Sequence, residues 1–287
     1  MGCFMRTLAQ RAWRVNARRG LFATLLLVAV ICGGPAGASG AGQADQPTLY
    51  GEAPAAAACD PIAGESYGTL SIEGPSADRP AEVHADLNLA LRGYEVTSAP
   101  LILVEHGPTD DPLAPQLRDL FWSRRLPIFS RAHRVYDWNW DTNSRGPLIT
   151  DWDVTLAGMP ALPGETLHVP GSGYDIGGGY EVMVLYAAEN RITLKYTRED
   201  NVVVGYTLHL EGICVEPNLL ALYRTMNNAG RGQLPALRAR QAFGRAASGE
   251  VSVVIRDSGA FMDPRSRNDW WIGVPDPARV FLPYIVD

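Results

Sequence analysis

The sequence has only five histidines, scattered along 287 residues. None of them forms a His-x-His or His-Glu-x-x-His motif, the spacings that mark many metal centres. Acidic residues outnumber basic ones, 31 to 25, so the formal net charge is −6. The sequence contains neither a basic stripe nor a nucleic-acid-binding motif. We therefore do not expect a nucleic acid as partner.

Long hydrophobic runs are also lacking. The apolar run of residues 21–32 is shorter than the roughly 20 residues that a membrane-spanning helix needs. It follows a stretch with five arginines and no acid, residues 1–20, and precedes the small residues Ala36, Gly37 and Ala38. This order predicts a secretory signal peptide over residues 1–38, a secreted, bacterial-type extracytoplasmic protein, and no stable transmembrane span after cleavage. An uncleaved N-terminal anchor is the alternative.

Cysteine is scarce, and only Cys59 and Cys214 remain after the predicted cleavage. Because an exported chain enters an oxidising compartment, the pair is predicted to form one disulfide. A loop that long would stabilise the fold by about 4–5 kcal/mol in the chain-entropy treatment. Two free thiols are the alternative, since spacing alone does not show that the two cysteines meet.

The chain divides by composition and pattern into four regions. Residues 39–59 are rich in Ala, Gly and Pro and are predicted to be a flexible leader. Residues 60–133 are predicted to be a β-rich N-terminal region, and residues 134–287 a β domain. The N-terminal region is either a small domain of its own or an elaboration of the β domain. Predicted strands cover residues 69–73, 84–92, 99–105, 149–156, 179–187, 191–196 and 203–210, with a shorter strand between turns in residues 163–173 and short helices at residues 116–122 and 218–224. The expected fold class is all-β, a mostly antiparallel β-sandwich or open barrel with few short helices.

Three segments of the C-terminal half occur in a suggestive order. Residues 164–173 read Gly-Glu-Thr-Leu-His-Val-Pro-Gly-Ser-Gly, residues 206–210 read Tyr-Thr-Leu-His-Leu, and residues 250–256 read Glu-Val-Ser-Val-Val-Ile-Arg. Over residues 148–272 this order resembles the lysostaphin-like zinc endopeptidases, which cut peptidoglycan cross-links. The resemblance implies a β fold of the duplicated-hybrid-motif type.

The resemblance also implies which positions once carried chemistry. Asp153 matches the family's zinc-binding aspartate, and Ile149 stands where its partner histidine belongs. His209 matches the strand histidine, whereas Glu250 and Ser252 stand at the positions of the two C-terminal histidines. The resemblance therefore implies a catalytically defective scaffold without a cofactor.

A rebuilt zinc site is the alternative. Asp153, Glu250 and either His209 or His168 offer two carboxylates and one imidazole, and zinc binds all these groups. A catalytic zinc needs three protein ligands and one open position for water. Such a site would make the protein an active metallohydrolase with a non-standard ligand set.

Aromatic residues offer a second kind of site. Trp138 and Trp140 share one face of an extended segment, beside acids and amides, and Trp152 follows shortly after. Rings of this kind stack on sugars while polar groups bond the hydroxyls, so we interpret them as glycan-binding candidates; closing the end of a β-core is their alternative role. Arg256 is a candidate to hold a ligand carboxylate, and stiffening its loop through internal ion pairs is its alternative role. His84 and Asp86, two residues apart on a predicted strand, form either a ligand pair or a surface pair.

These observations give one leading functional hypothesis. The protein is expected to bind cell-wall glycan or peptide, or a partner protein, without cutting it. The two alternatives are the rebuilt metallohydrolase and a carbohydrate-binding β module of unrelated fold.

Overall fold

A computed structural model describes residues 59–106, 111–121 and 124–274. The predicted signal peptide and residues 39–58 of the predicted leader lie outside the described residues. The described strands are β1 Gly68–Ser71, β2 Tyr94–Val96, β3 Arg131–Asn139, β4 Ser144–Leu148, β5 Leu156–Pro160, β6 Thr166–His168, β7 Val182–Ala188, β8 Arg191–Lys195, β9 Tyr206–Glu211, β10 Ile213–Val215, β11 Gln233–Leu237, β12 Ala242–Ala246, β13 Glu250–Asp257 and β14 Ala260–Phe261. The helices are α1 Pro217–Asn228 and α2 Arg267–Trp270, with 3-10 turns at Ala81–Val83, Leu89–Leu91 and Leu117–Asp119. The fold is all-β with few short helices, as predicted.

Two antiparallel sheets build the molecule. The main sheet has the order β1-β11-β7-β8-β9-β13-β5-β3-β2, with β14 beside β13 and β4 beside β3. The smaller sheet has the order β10-β12-β6. Apolar residues of both sheets and of α1 belong to one buried core, which includes Phe243 and Leu167 of the small sheet and Leu208 of the main one.

The central strands β8, β9 and β13 alternate strictly between two faces. Ile192, Leu194, Leu208, Leu210, Val251, Val253 and Ile255 are buried on the face that points into the core. In β8 and β9 these residues alternate with polar ones, the period of a strand with one apolar face, and both strands form close to where the sequence predicts them.

The opposite face of these strands is polar except for Val254 and is nevertheless largely buried. Lys195, Thr207 and His209 lie on it. Residues 81–92, which we call the cover segment, lie over this face: Thr193 Oγ1 donates to the Leu87 carbonyl at 2.7 Å. A polar strand face normally meets water. Here it meets protein, and its polar groups need partners within the fold.

The predicted boundary between residues 133 and 134 falls inside β3. β1 pairs with β11 at one end of the main sheet, and β2 pairs with β3 at the other. Residues 60–133 thus complete the main sheet, and the described residues form one compact unit. Pairing between distant segments leaves no local signature, which is why the sequence pattern suggested a division.

Three predicted strands are wrong. Residues 84–92 form turns, including the 3-10 helix Leu89–Leu91, because their alternating leucines pack into the molecule as part of the cover segment. Residues 99–105 contribute only a single bridge, from Val104 to Ser266. In the range 149–156 only Leu156 is in a strand, the first residue of β5.

The predicted disulfide between Cys59 and Cys214 is confirmed, with Cα atoms 5.6 Å apart. This separation is typical of disulfides. It ties the first described residue to β10. Among the described residues, no helix has the length and apolar character needed to cross a membrane.

Candidate ligand-binding cleft

A cleft of about 400 Å³ opens where the chain preceding β2 meets the loop between β8 and β9. Residues 75–79, His84 and Asp86 form one side, residues 200–203 form another, and Trp140 closes it. We call it the Trp140 cleft. Its lining joins an exposed ring to carboxylates, a guanidinium and an imidazole.

Three neighbouring side chains hold the Trp140 ring in place. Its side chain is 41% exposed, and the Arg79 guanidinium lies 4.8 Å from the ring centroid. The rings of His84 and Trp138 meet it edge-to-face, with centroids at 5.3 Å and 6.4 Å. Trp138 itself is buried at the end of β3. Of these two predicted glycan-binding candidates, Trp138 supports the Trp140 ring, and Trp140 remains accessible.

Asp86 contributes a carboxylate that two buried arginines hold in place. Arg92 and Arg256 both donate to its Oδ1, each at 2.7 Å. Burial acts to raise the pKa of Asp86, but the two guanidinium groups outweigh it and lower the pKa to about 2. No described residue donates to Oδ2. The group is ionised at neutral pH and keeps an acceptor oxygen.

Asp78 supplies a second carboxylate, at the mouth of the cleft. Arg79 bonds both of its oxygens, with Nε–Oδ1 and Nη2–Oδ2 distances of 3.0 Å. His84 Nε2 lies 3.5 Å from Oδ1. The hydrogen bond from Arg79 lowers the pKa of Asp78, whereas burial lowers the pKa of His84. At neutral pH the cleft therefore combines carboxylate acceptors with guanidinium donors, the polar groups that bond sugar hydroxyls.

Asp200 anchors the wall formed by residues 75–77. Its Oδ2 accepts from the Ala77 backbone N at 2.9 Å and from Arg231 Nε at 2.8 Å, while Oδ1 accepts from Arg231 Nη2 at 2.6 Å. Arg231 also donates to the Leu185 carbonyl and to Asn227. Since both charged groups are buried, this pair fixes the cleft wall to the core of the protein.

The structure does not bring the predicted metal ligands together. Asp153 lies on the surface, with 75% of its side chain exposed, and pairs with Arg134. Glu250 accepts from Ser130 Oγ at 2.6 Å at the start of β13. Across the described ranges, no group of three or more His, Cys, Asp or Glu side chains could hold a metal ion. The rebuilt triad of Asp153, Glu250 and a histidine is therefore not assembled.

His209 lies under the cover segment and is only 1% exposed. Its Nδ1 is 3.0 Å from Thr193 Oγ1, and the Thr193 hydroxyl already donates its proton to the Leu87 carbonyl. His209 must therefore donate from Nδ1, which leaves Nε2 unprotonated and without a hydrogen-bond partner. A histidine in this position is part of the packed interior, out of reach of a substrate.

Neither Trp152 nor Arg256 lines the Trp140 cleft. The Trp152 ring packs against His106, with centroids 4.5 Å apart, and Trp152 does not line the Trp140 cleft. Arg256 is buried between Asp86 and the Phe261 ring, so it presents no donor to a ligand. It acts on the cleft through Asp86.

Sequence reasoning missed most of the cleft. Asp78, Arg79 and Asp200 had no distinguishing local pattern, and the turn from residue 75 onwards brings them to Trp140. His84 and Asp86 were noticed as a pair on a strand, but they lie in a turn in which His84 Nδ1 accepts from the Asp86 backbone N at 3.2 Å. The sequence therefore correctly indicated that His84 and Asp86 form a pair, but the predicted strand was wrong.

The buried imidazole predicts a pH dependence of stability. Burial, followed by the charge of Arg256, lowers the pKa of His209 to about 3. Between about pH 6.5 and pH 3 the unfolded chain binds a proton that the folded protein does not, so acidification lowers the free energy of unfolding by at most about 1.4 kcal/mol per pH unit from this residue. The variant His209→Asn should show a shallower fall in urea denaturation between pH 6.5 and 4.5. Identical slopes for the variant and the wild type would contradict this assignment.

No family model matches the chain, and a search of curated proteins found no match.

Proposed function

We propose that the protein is an extracytoplasmic glycan-binding protein that uses the Trp140 cleft to hold a sugar unit without cleaving it. The observation that carries the proposal is the accessible Trp140 ring, fixed by Arg79, His84 and Trp138 beside the carboxylates of Asp78 and Asp86. An aromatic ring with adjacent charged acceptors matches the two faces of a pyranose, one apolar and one hydroxylated.

The size and charge of the cleft favour a sugar over other ligands. A volume of about 400 Å³ lies at the lower end of the range for small-molecule sites. Asp78 and Asp86 are each already bonded by arginines, so the cleft is polar without a strong net field. Such pre-ordered groups lose little side-chain freedom when they bind hydroxyls.

Cell-wall glycan is the polymer we propose. The disulfide between Cys59 and Cys214 supports an oxidising compartment, in agreement with the expected signal peptide. The lysostaphin-like resemblance of residues 148–272 supports the cell wall as the setting. The separation of Asp153, His209 and Glu250 favours binding over zinc-dependent cleavage.

Replacing Trp140 with alanine should weaken glycan binding about tenfold or more, because the ring supplies the stacking surface. The fold should be retained, since the side chain is 41% exposed. The measurement is retention on purified peptidoglycan and on a panel of other insoluble polysaccharides. Trp152→Ala is the matched control, because that ring does not line the cleft, and it should bind like the wild type.

Each outcome of this experiment has a clear meaning. Retention of the wild type on another polysaccharide but not on peptidoglycan would correct the polymer and keep the glycan-binding function. No retention on any glycan, or equal retention of Trp140→Ala and Trp152→Ala, would overturn the proposal.

A further inference from the structure

A second cavity, distinct from the Trp140 cleft, lies at the far end of the β8–β9 loop. It measures about 270 Å³, and its principal walls are Asp111, Tyr174, Tyr196, Tyr206 and Asp257. We call it the tyrosine cage. None of these residues belongs to the lining of the Trp140 cleft. Its composition, three phenol rings and two carboxylates, requires a separate explanation.

Asp111 is positioned by neutral donors only. Its Oδ2 accepts from the Tyr174 hydroxyl at 2.6 Å and from the Tyr206 hydroxyl at 2.9 Å, and its Oδ1 accepts from the Leu113 backbone N at 2.8 Å. Among the described residues no Lys or Arg lies within ion-pair distance of it. The carboxylate is therefore fixed in place without an ion-pair partner in the described part of the chain.

Asp257 adds a second carboxylate of the same kind. It accepts from Ser258 Oγ at 3.0 Å, and it too forms no ion pair with the part of the chain that the structure describes. The buried Lys195 interacts with Asp257 electrostatically but directs its Nζ to the Val204 carbonyl. Two carboxylates thus border one small cavity lined by phenol rings, and an organic cation placed there would interact favourably with both.

The protonation states keep the cage negative. Burial acts to raise the pKa of Asp111, but the hydrogen bonds from Tyr174, Leu113 and Tyr206 outweigh it and hold the pKa below its usual value. The bond to Asp111 raises the pKa of Tyr174 to about 12, and burial, followed by the bond to Asp111, raises that of Tyr206. At neutral pH the phenols remain protonated and Asp111 remains ionised.

The rings are fixed as walls. The centroids of Tyr174 and Tyr206 are 6.3 Å apart, and the buried Trp270 meets Tyr206 edge-to-face at 5.7 Å. Tyr196 is fully buried and donates its hydroxyl to the Pro170 carbonyl at 2.8 Å. Tyr174 forms the accessible rim, 37% exposed. The negative faces of such rings attract organic cations, most strongly where the site is shielded from water.

From this geometry we propose that the tyrosine cage binds an alkylammonium group. The charged head lies against Asp111 and Asp257, and the aliphatic carbons lie against the rings of Tyr174 and Tyr206. The cavity volume corresponds to a small fragment such as a four- or five-carbon amine. The chemistry is the same for a free amine and for the side chain of a lysine-like residue in a peptide.

The test is a heteronuclear NMR titration of the mature protein, beginning after the predicted signal peptide, with n-butylammonium chloride at constant ionic strength. We expect saturable shifts of the resonances around Tyr174 and Tyr206, with the isosteric n-butanol binding at least tenfold more weakly. The Asp111→Asn variant keeps an oxygen acceptor for the two hydroxyls but loses the charge, so its affinity for n-butylammonium should fall at least tenfold. Asp257→Asn should also lower the affinity for n-butylammonium, and it replaces Asp111→Asn in the test if that variant does not fold.

Asp175→Asn is the matched control, because Asp175 is an exposed carboxylate on the same loop as Tyr174 but outside the cage. It should bind n-butylammonium like the wild type.

A second titration, with acetyl-lysine-amide carrying a free side-chain amine, distinguishes a peptide side chain from a free amine as the source of the group. Absent or non-saturable shifts with n-butylammonium, equal binding of n-butanol, or undiminished binding by both carboxylate variants would overturn the proposal. Because Trp140 is not part of the cage, Trp140→Ala should bind n-butylammonium normally.

Discussion

Replacing Asp200 with alanine is expected to lower the free energy of unfolding by about 3–5 kcal/mol, because it leaves the Arg231 guanidinium buried without its counter-charge. The Asp200 side chain is fully buried and the Arg231 side chain is 7% exposed. The substitution also removes the acceptor of the Ala77 backbone N, which anchors one wall of the Trp140 cleft. Urea denaturation monitored by circular dichroism measures the change.

Two comparisons test whether the destabilisation comes from the buried, unpaired Arg231 rather than from breaking an ion pair in general. Glu73→Ala removes the exposed partner of Arg198 and should change stability by less than about 1 kcal/mol. The double variant Asp200→Leu with Arg231→Met should be more stable than Asp200→Ala, because it leaves no unpaired charge. If Asp200→Ala is no more harmful than Glu73→Ala, the assigned role of the pair is wrong.

Loss of the Cys59–Cys214 disulfide is expected to destabilise the protein by about 2–5 kcal/mol. The bond joins residues 155 positions apart, so its removal frees a long closed loop in the unfolded chain. The double variant Cys59→Ala with Cys214→Ala tests this in denaturant without leaving a reactive thiol. Reductant should shift the unfolding midpoint of the wild type towards that of the variant.

The double variant also provides the control for reductant effects unrelated to this bond. Its own unfolding midpoint should be the same with and without reductant. A wild-type midpoint that does not change on verified reduction would contradict a stabilising role for the bond.

The sequence predicted what depends on local pattern. Enrichment in β-branched and aromatic residues gave strands at nearly the observed positions of β7, β8 and β9, because such side chains pack well on a pleated sheet. The helical pattern beginning at Asn218 lies within α1, and Glu216 caps that helix by accepting from the Leu219 backbone N at 2.8 Å. The even number of cysteines after the predicted signal correctly gave the disulfide.

What the sequence did not predict depends on contacts between distant segments. The polar residues of β9, Thr207 and His209, alternate as they would on a solvated strand, yet the cover segment buries them. Asp86 and Arg256 are 170 positions apart, and only the fold shows that they form an ion pair. Local periodicity records which face of a strand is polar but not what lies over that face.

The two proposed sites lie at the limits of the same loop. Asp200 and residues 201–203 face the Trp140 cleft, whereas Gly205 and Tyr206 face the tyrosine cage. Arg256 bonds Asp86 on the cleft side, and its neighbour Asp257 lines the cage. One strand, β13, therefore supports both sites, which gives each a rigid base.

The most direct measurement of the central claim is a tryptophan fluorescence titration of the mature protein with soluble oligosaccharides released from peptidoglycan. The account predicts a saturable change in emission that is lost in Trp140→Ala and kept in Trp152→Ala. A saturable change that persists in Trp140→Ala would contradict it, because the sugar would then be bound away from the one ring on which the cleft depends.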